Sequence, residues 1–142
     1  MTHTSRQAEP TIAVLLIAHG SRRAKANAEL HTVAKSLTDR GRYPVVRVSF
    51  LELAEPSIAE GGASCVEAGA AEVILLPFFL SPGRHVVEDL TAARDALRER
   101  FPAVQFILAG ALGSHPLILD ALADRAREAE NVATIGKELL LS

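Results

Sequence analysis

Four short runs rich in Ile, Val and Leu, at 11–18, 45–51, 73–80 and 104–109, divide the chain, with longer segments of helical spacing between them. In the first such segment Leu30, Val33, Ala34 and Leu37 recur at i, i+3, i+4 and i+7, the spacing of one helical face. In the third, Val86, Leu90, Ala93 and Leu97 mark an apolar face opposite Glu, Asp and Arg. The turn chemistry agrees with this division. Ser21 is placed to cap the first helix and Gly41 to end it. Pro56 and Pro116 fall where a first helical turn tolerates proline; Gly69 closes the second helix and Phe101-Pro102 the third.

Strands that are apolar throughout, rather than alternating, are buried on both faces, as in a parallel sheet covered by helices. The order βαβαβαβα therefore predicts an α/β three-layer sandwich, a four-stranded doubly wound parallel sheet flanked by helices. Right-handed crossovers restrict the strand order, and 2-1-3-4 is the flavodoxin-like choice. Residues 1–10 are polar, end at Pro10 and are expected to form a flexible tail. A single domain is expected over 11–130, with 131–142 a C-terminal segment of separate role.

In such folds ligands bind beyond the carboxyl ends of the strands, where the strand order reverses. For 2-1-3-4 that point lies between the first and third strands. The first exit reads His19-Gly20-Ser21-Arg22-Arg23, and the third reads FFLSPGRH, ending in Gly83-Arg84-His85. Neighbouring strands lie about 4.8 Å apart, so His19 and His85 are expected to face one crevice. Two imidazoles with open coordination positions suit a metal ion that must arrive and leave. Glu52 at the second exit is a candidate base or proton relay. Glu55 precedes a helix opened by proline, and His115, after the fourth strand, is a candidate helix cap.

Arg22, Arg23, Lys25 and Arg84 cluster in sequence around the same crevice. Cations oppose the dipole at a helix start, which favours an anionic ligand as their reason. Cys65 shares a small-residue helix face with Ile58, Gly62 and Gly69 and is expected in the core.

Composition narrows the choice of function. A length of 142 residues suits one domain, and a net charge of −2 leaves no nucleic-acid footprint. One cysteine excludes an intrachain disulfide framework and a multi-cysteine zinc site, which fits a reducing cytoplasm. The apolar runs are strand-length, far short of the roughly 20 residues of a membrane span, and the first residues lack a secretory signal. No GxGxxG follows the first strand and no GxxxxGK[ST] occurs, so dinucleotide and P-loop readings lose their signal. A flavodoxin-type phosphate loop would need more Ser, Thr and Gly than Gly20-Ser21 supplies.

Four stretches, LLIAHGSRR, FLELAEPSIAEG, LLPFFLSPGRHVVEDL and LGSHPLIL, resemble in order the motifs of the sirohydrochlorin cobaltochelatase/ferrochelatase family, the class II chelatases. The resemblance spans about residues 12–127. It implies a chelatase-like fold and insertion of a divalent metal substrate, Co²⁺ or Fe²⁺, into the tetrapyrrole sirohydrochlorin in cobalamin or siroheme synthesis, without ATP or flavin. The family's metal-binding histidines map onto His19 and His85, and its acidic residue onto Glu52. Ni²⁺ also accepts imidazole, and affinity order does not decide the metal used. Short chains of the family pair as homodimers, and this length matches the short form.

A macrocycle that is apolar in the middle and ringed by carboxylates asks for an aliphatic wall, here Leu80 and Pro82, and a basic rim, here Arg22, Arg23 and Arg84. Two other readings stay open. The same histidines would serve a non-catalytic metal or tetrapyrrole carrier, and the fold alone would serve a binding module for a phosphorylated cofactor.

Overall fold

The computed structural model describes residues 11–134. The expected tail at 1–10 lies outside these residues, as does 135–142, while 131–134 continue the last helix. The chain alternates β1 (Ile12–Ala18), α1 (Ala24–Asp39), β2 (Val45–Phe50), α2 (Ile58–Glu67), β3 (Glu72–Pro77), α3 (Arg84–Arg100) and β4 (Gln105–Leu108). A 3-10 turn at Leu112–Ser114 then leads into α4 (Pro116–Thr134). All four strands are parallel and ordered β2-β1-β3-β4, the order the sequence predicts.

The two faces of β1 hold the fold together. Successive side chains of a strand point to opposite faces, and here both faces are covered. Ala13, Leu15 and Ile17 join Val73, Leu75 and Phe106 against Ile58 and Cys65 of α2 and Leu90 and Leu97 of α3. Leu16 joins Val48 and Phe50 against Leu30 and Ala34 of α1. The central strand therefore reads as an unbroken apolar run. Cys65 is fully buried in the first of these cores, and loss of hydration pushes its thiol up to about 11.

Several helix ends depart from the expected caps. Ser21 does not cap α1: the N-cap is Arg23, with no side-chain bond. Asn27 captures the serine's backbone instead. Its Oδ1 accepts from Ser21 N–H at 3.0 Å and its Nδ2 donates to the Ser21 carbonyl at 2.7 Å, while Ser21 Oγ takes the Arg23 N–H. Pro56 lies just before α2 rather than in its first turn, because Ser57 and Glu60 form a reciprocal capping box. Those bonds hold the Glu60 carboxyl below its ordinary value. Gly41 and Gly69, at φ +79° and +97°, end α1 and α2 as expected. Pro116 opens α4.

Strand β3 stops at Pro77, three residues before its apolar run ends. Phe78 N–H still reaches Ile17 O at 2.7 Å, but Phe79 and Leu80 turn their carbonyls to Leu112 N–H and Gly113 N–H, at 2.9 and 2.8 Å. The apolar run thus continues as a pairing with the 3-10 turn. Helix α4 rests mainly on that turn and leaves Leu117, Leu119 and Leu122 more than 60% exposed. No helix among the described residues is long and apolar enough to cross a membrane.

Truncating Leu97, which joins α3 to the larger core, is expected to destabilise the fold by about 2–5 kcal/mol, measured by urea unfolding. In the native protein Cys65 should resist thiol reagents at pH 8 and react fully once unfolded. Burial cuts its thiolate fraction roughly 100-fold.

Candidate functional site

The exits of β1 and β2 are locked together by backbone. The parallel ladder runs past the strands, with Leu51 N–H donating to Ala18 O at 2.9 Å and Glu52 N–H to His19 O at 3.0 Å. Gly20 then adopts φ +101°, and a Cβ built on it would stand 1.8 Å from the Glu52 carbonyl oxygen. The room at Gly20, read from sequence as space for a flat ligand, is filled by the protein's own backbone. What glycine permits here is the close approach of β2's exit to β1's.

That approach sets one side chain against another. His19 Nε2 lies 2.8 Å from Glu52 Oε1, with the two side chains 52% and 56% exposed. A carboxylate only accepts, so Nε2 donates in this contact. Exposed pairs of this kind add about 0.2–1 kcal/mol to stability, too little to explain the lengths to which the backbone goes. Leu53, next along, is held at φ +63°, an unusual conformation for a leucine, and is itself exposed.

The β3 and β4 exits are locked in the same way. A Cβ on Gly113 would stand 2.1 Å from the Leu80 carbonyl oxygen, whose acceptance of the Gly113 N–H is the bond already described. Between the two locked pairs runs the β1/β3 crevice. Phe79, from the β3 exit, lies edge-on to the His19 ring, with 6.4 Å between ring centroids.

His85 sits in the first turn of α3 with its side chain 96% exposed, its nearest charged partner being Glu88, 3.9 Å from Nδ1. The same Glu88 pairs with Arg84 at 3.3 Å. Of the three residues read from sequence as a metal and proton set, His19 and Glu52 are in contact and His85 is not drawn into the pair. Among the described residues no three His, Cys, Asp or Glu side chains converge as a ready metal cage. Arg22 and Arg23 are exposed at the start of α1, without an ion pair among the described residues. His115 caps α4, its Nδ1 accepting Leu117 N–H at 3.1 Å.

Leu80 and Pro82 line a cleft of about 650 Å³ beside this crevice, walled on its far side by Ile118, Ala121, Leu122 and Arg125 of α4. Sequence reasoning missed Phe79, Glu88, Gly113 and Arg125. The i, i+4 spacing of Arg84 and Glu88 carried a usable signal. The others depend on which loops meet.

Fold and exits together define a chelatase-like α/β domain, with imidazoles at the two strand ends flanking its topological switch point. The chain belongs to the CbiX family, whose model matches residues 13–129. It is 37% identical to the chloroplastic sirohydrochlorin ferrochelatase of Arabidopsis thaliana, over 79% of this chain and 50% of that protein. It is 32% identical to the sirohydrochlorin cobaltochelatase of Priestia megaterium, over 82% of this chain and 38% of that protein. Among solved structures, the sirohydrochlorin chelatase SirB from Bacillus subtilis subspecies spizizenii in complex with cobalt superposes with a TM-score of 0.75 at 28% identity, covering 83% of this chain and 50% of that one. The chain spans half or less of the length of the first curated relatives it matches.

Gly20→Ala is expected to cost at least about 1–3 kcal/mol from the backbone conformation alone and to separate Glu52 from His19. Chemical unfolding and the His19 ring resonances would report both. Gly110→Ala, in open space after β4, should stay within about 0.5 kcal/mol.

Proposed function

We propose that the chain inserts a divalent metal ion, Co²⁺ or Fe²⁺, into sirohydrochlorin. The observation that carries this reading is the His19–Glu52 pair at the β1 exit, with His85 at the neighbouring β3 exit on the same edge of the sheet. Family membership and the metals and tetrapyrrole in its relatives' names support it.

Insertion exchanges two pyrrole protons for one divalent ion, so the site needs ligands that release a metal and a base that accepts protons near neutral pH. Imidazole does both. In this reading His19 and His85 hold the ion and present it to the macrocycle centre. As the ion passes into the ring the two freed imidazoles take the two pyrrole protons. Glu52, half exposed, relays the His19 proton to water, and the exposed His85 loses its own to solvent directly. Arg22, Arg23 and Arg84 face the ring of carboxylates, and Leu80 the apolar body. The reaction uses no nucleotide and no flavin.

Two finer readings belong to the same proposal. The chain pairs with a second copy, supported by the exposed Leu117 and Leu119 of α4. It works in a reducing compartment such as the cytoplasm, supported by its single unpaired, buried cysteine.

The test is the absorbance change of sirohydrochlorin with Co²⁺ or Fe²⁺, without ATP. Product should exceed enzyme many times over, and one equivalent or less would make the chain a carrier. His19→Ala and His85→Ala should each abolish most of the turnover, and Glu52→Gln should lower it by roughly 10²- to 10⁴-fold. Wild-type rates in both histidine variants would overturn the assignment.

A further inference from the structure

The cleft between the Leu80–Pro82 loop and α4 is lined by neither histidine, and it shares Leu80 with the site just described. Its floor is the loop that sets Phe79 against His19 and leads within three residues to His85. At about 650 Å³ it falls in the range of small-molecule sites, and its lining is mostly apolar. Among the described residues Arg125 is the one ionisable group in that lining.

We propose that this cleft seats one edge of the tetrapyrrole, with Leu80, Ile118 and Leu122 against its apolar body and Arg125 of α4 binding a peripheral carboxylate. The proposal rests on the chelatase reading above and adds to it a binding residue on the opposite side of the crevice from Arg22 and Arg23. Among the described residues Arg125 pairs with Glu128, at 3.0 Å and with both side chains more than half exposed. Such surface pairs are weak, whereas guanidinium and carboxylate in a bidentate contact beside an apolar wall are strong. A substrate carboxylate is therefore the better partner. The wall itself is fixed: Gly113 lies flat against the Leu80 backbone, and His115 caps the first turn of α4. Leu117 and Leu119, the leucines available to a second copy of the chain, do not line the cleft.

The experiment measures KM for sirohydrochlorin, kcat, and Co²⁺ affinity without tetrapyrrole, for Arg125→Ala, Arg125→Lys and Leu122→Glu, with sedimentation of each variant. Arg125→Ala should raise KM by roughly 10-fold or more with kcat and Co²⁺ affinity near wild type. Arg125→Lys should recover part of that loss, and Leu122→Glu, which adds a carboxylate facing the ligand's own, should raise KM further. Wild-type KM in both Arg125→Ala and Leu122→Glu would overturn the proposal. So would a rise in KM that appears only with a change in oligomeric state, the face then serving a second copy. If the wild-type chain turns out no product, the chelatase reading fails separately. The cleft is then judged by sirohydrochlorin binding followed by absorbance, where equal affinity of wild type and Arg125→Ala would sink it.

Discussion

The carbonyl of Glu52 occupies the space that a side chain at position 20 would need. Much of the geometry of this end of the molecule follows from that one contact. Because residue 20 is glycine at φ +101°, the β2 exit can continue its ladder along β1 for two residues past the strands. The register of β1 and β2 then carries through to the side chains, and His19 meets Glu52. A second glycine, Gly113, does the same for the β3 and β4 exits by lying against the Leu80 carbonyl. The sheet's carboxyl edge therefore ends in two rigid loop pairs rather than four independent loops. The crevice at the switch point is the gap between those pairs. Its width is set by the β1–β3 pairing, which lasts to the Phe78 N–H bond on Ile17.

Rigid backbone with exposed functional groups is an unusual combination, and the magnitudes say where the stabilisation comes from. An exposed histidine–carboxylate pair contributes little, and a leucine held at positive φ costs about 1–2 kcal/mol. The β2 exit is held by backbone bonds and by the Phe50 side chain in the smaller core, with Phe50 N–H closing the loop onto the Pro56 carbonyl at 2.8 Å. The core thus supports a site that itself contributes little to stability. His85 is supported differently. It rides on the first turn of α3, a helix anchored by Leu90 and Leu97, so its backbone is fixed while its ring stays free to turn. Under the proposed chelatase reading, a metal that must be handed on would be well served by one imidazole oriented by a carboxylate and another that can follow it.

The strands, their order and the edge that bears the site were legible because each has a local signature. Continuous apolar runs mean two covered faces, and two covered faces with helical connections leave few topologies. His19 and His85 could be placed because they stand at strand ends, and Leu80 because it lies in an exit loop. What was not legible depends on contacts between residues far apart in sequence. Gly20 reads as an ordinary turn glycine until Glu52 is brought to it from 32 positions away. Pro77 ends β3 early because the 3-10 turn, some 35 residues on, competes for the Phe79 and Leu80 carbonyls. Ser21 looked like a cap by residue type. Asn27, with both a donor and an acceptor on one short side chain, takes the serine's backbone N–H and carbonyl and moves the helix start to Ala24. Arg125 carried no signal, since an arginine on an exposed helix is ordinary until a cleft forms beside it.

Helix α4 follows from the same logic. Its first turns are apolar nearly all round, with Leu117, Ile118, Leu119, Ala121 and Leu122 interrupted by Asp120, so no single stripe directs it onto the sheet. Strand β4, with four residues, offers a short surface on which to lie. Position is instead imposed from the N-terminal end, where Leu112 and Gly113 are bonded to the β3 loop and His115 caps the helix. In that cap the His115 Nδ1 accepts the backbone N–H of Leu117 at 3.1 Å. The consequence is a helix whose start is tied to the β3 exit loop while its sides remain unfilled. Ile118 and Leu122 can wall a cleft on one flank as Leu117 and Leu119 stay open on others. A helix packed flat on β4 would have given up the cleft for a larger core.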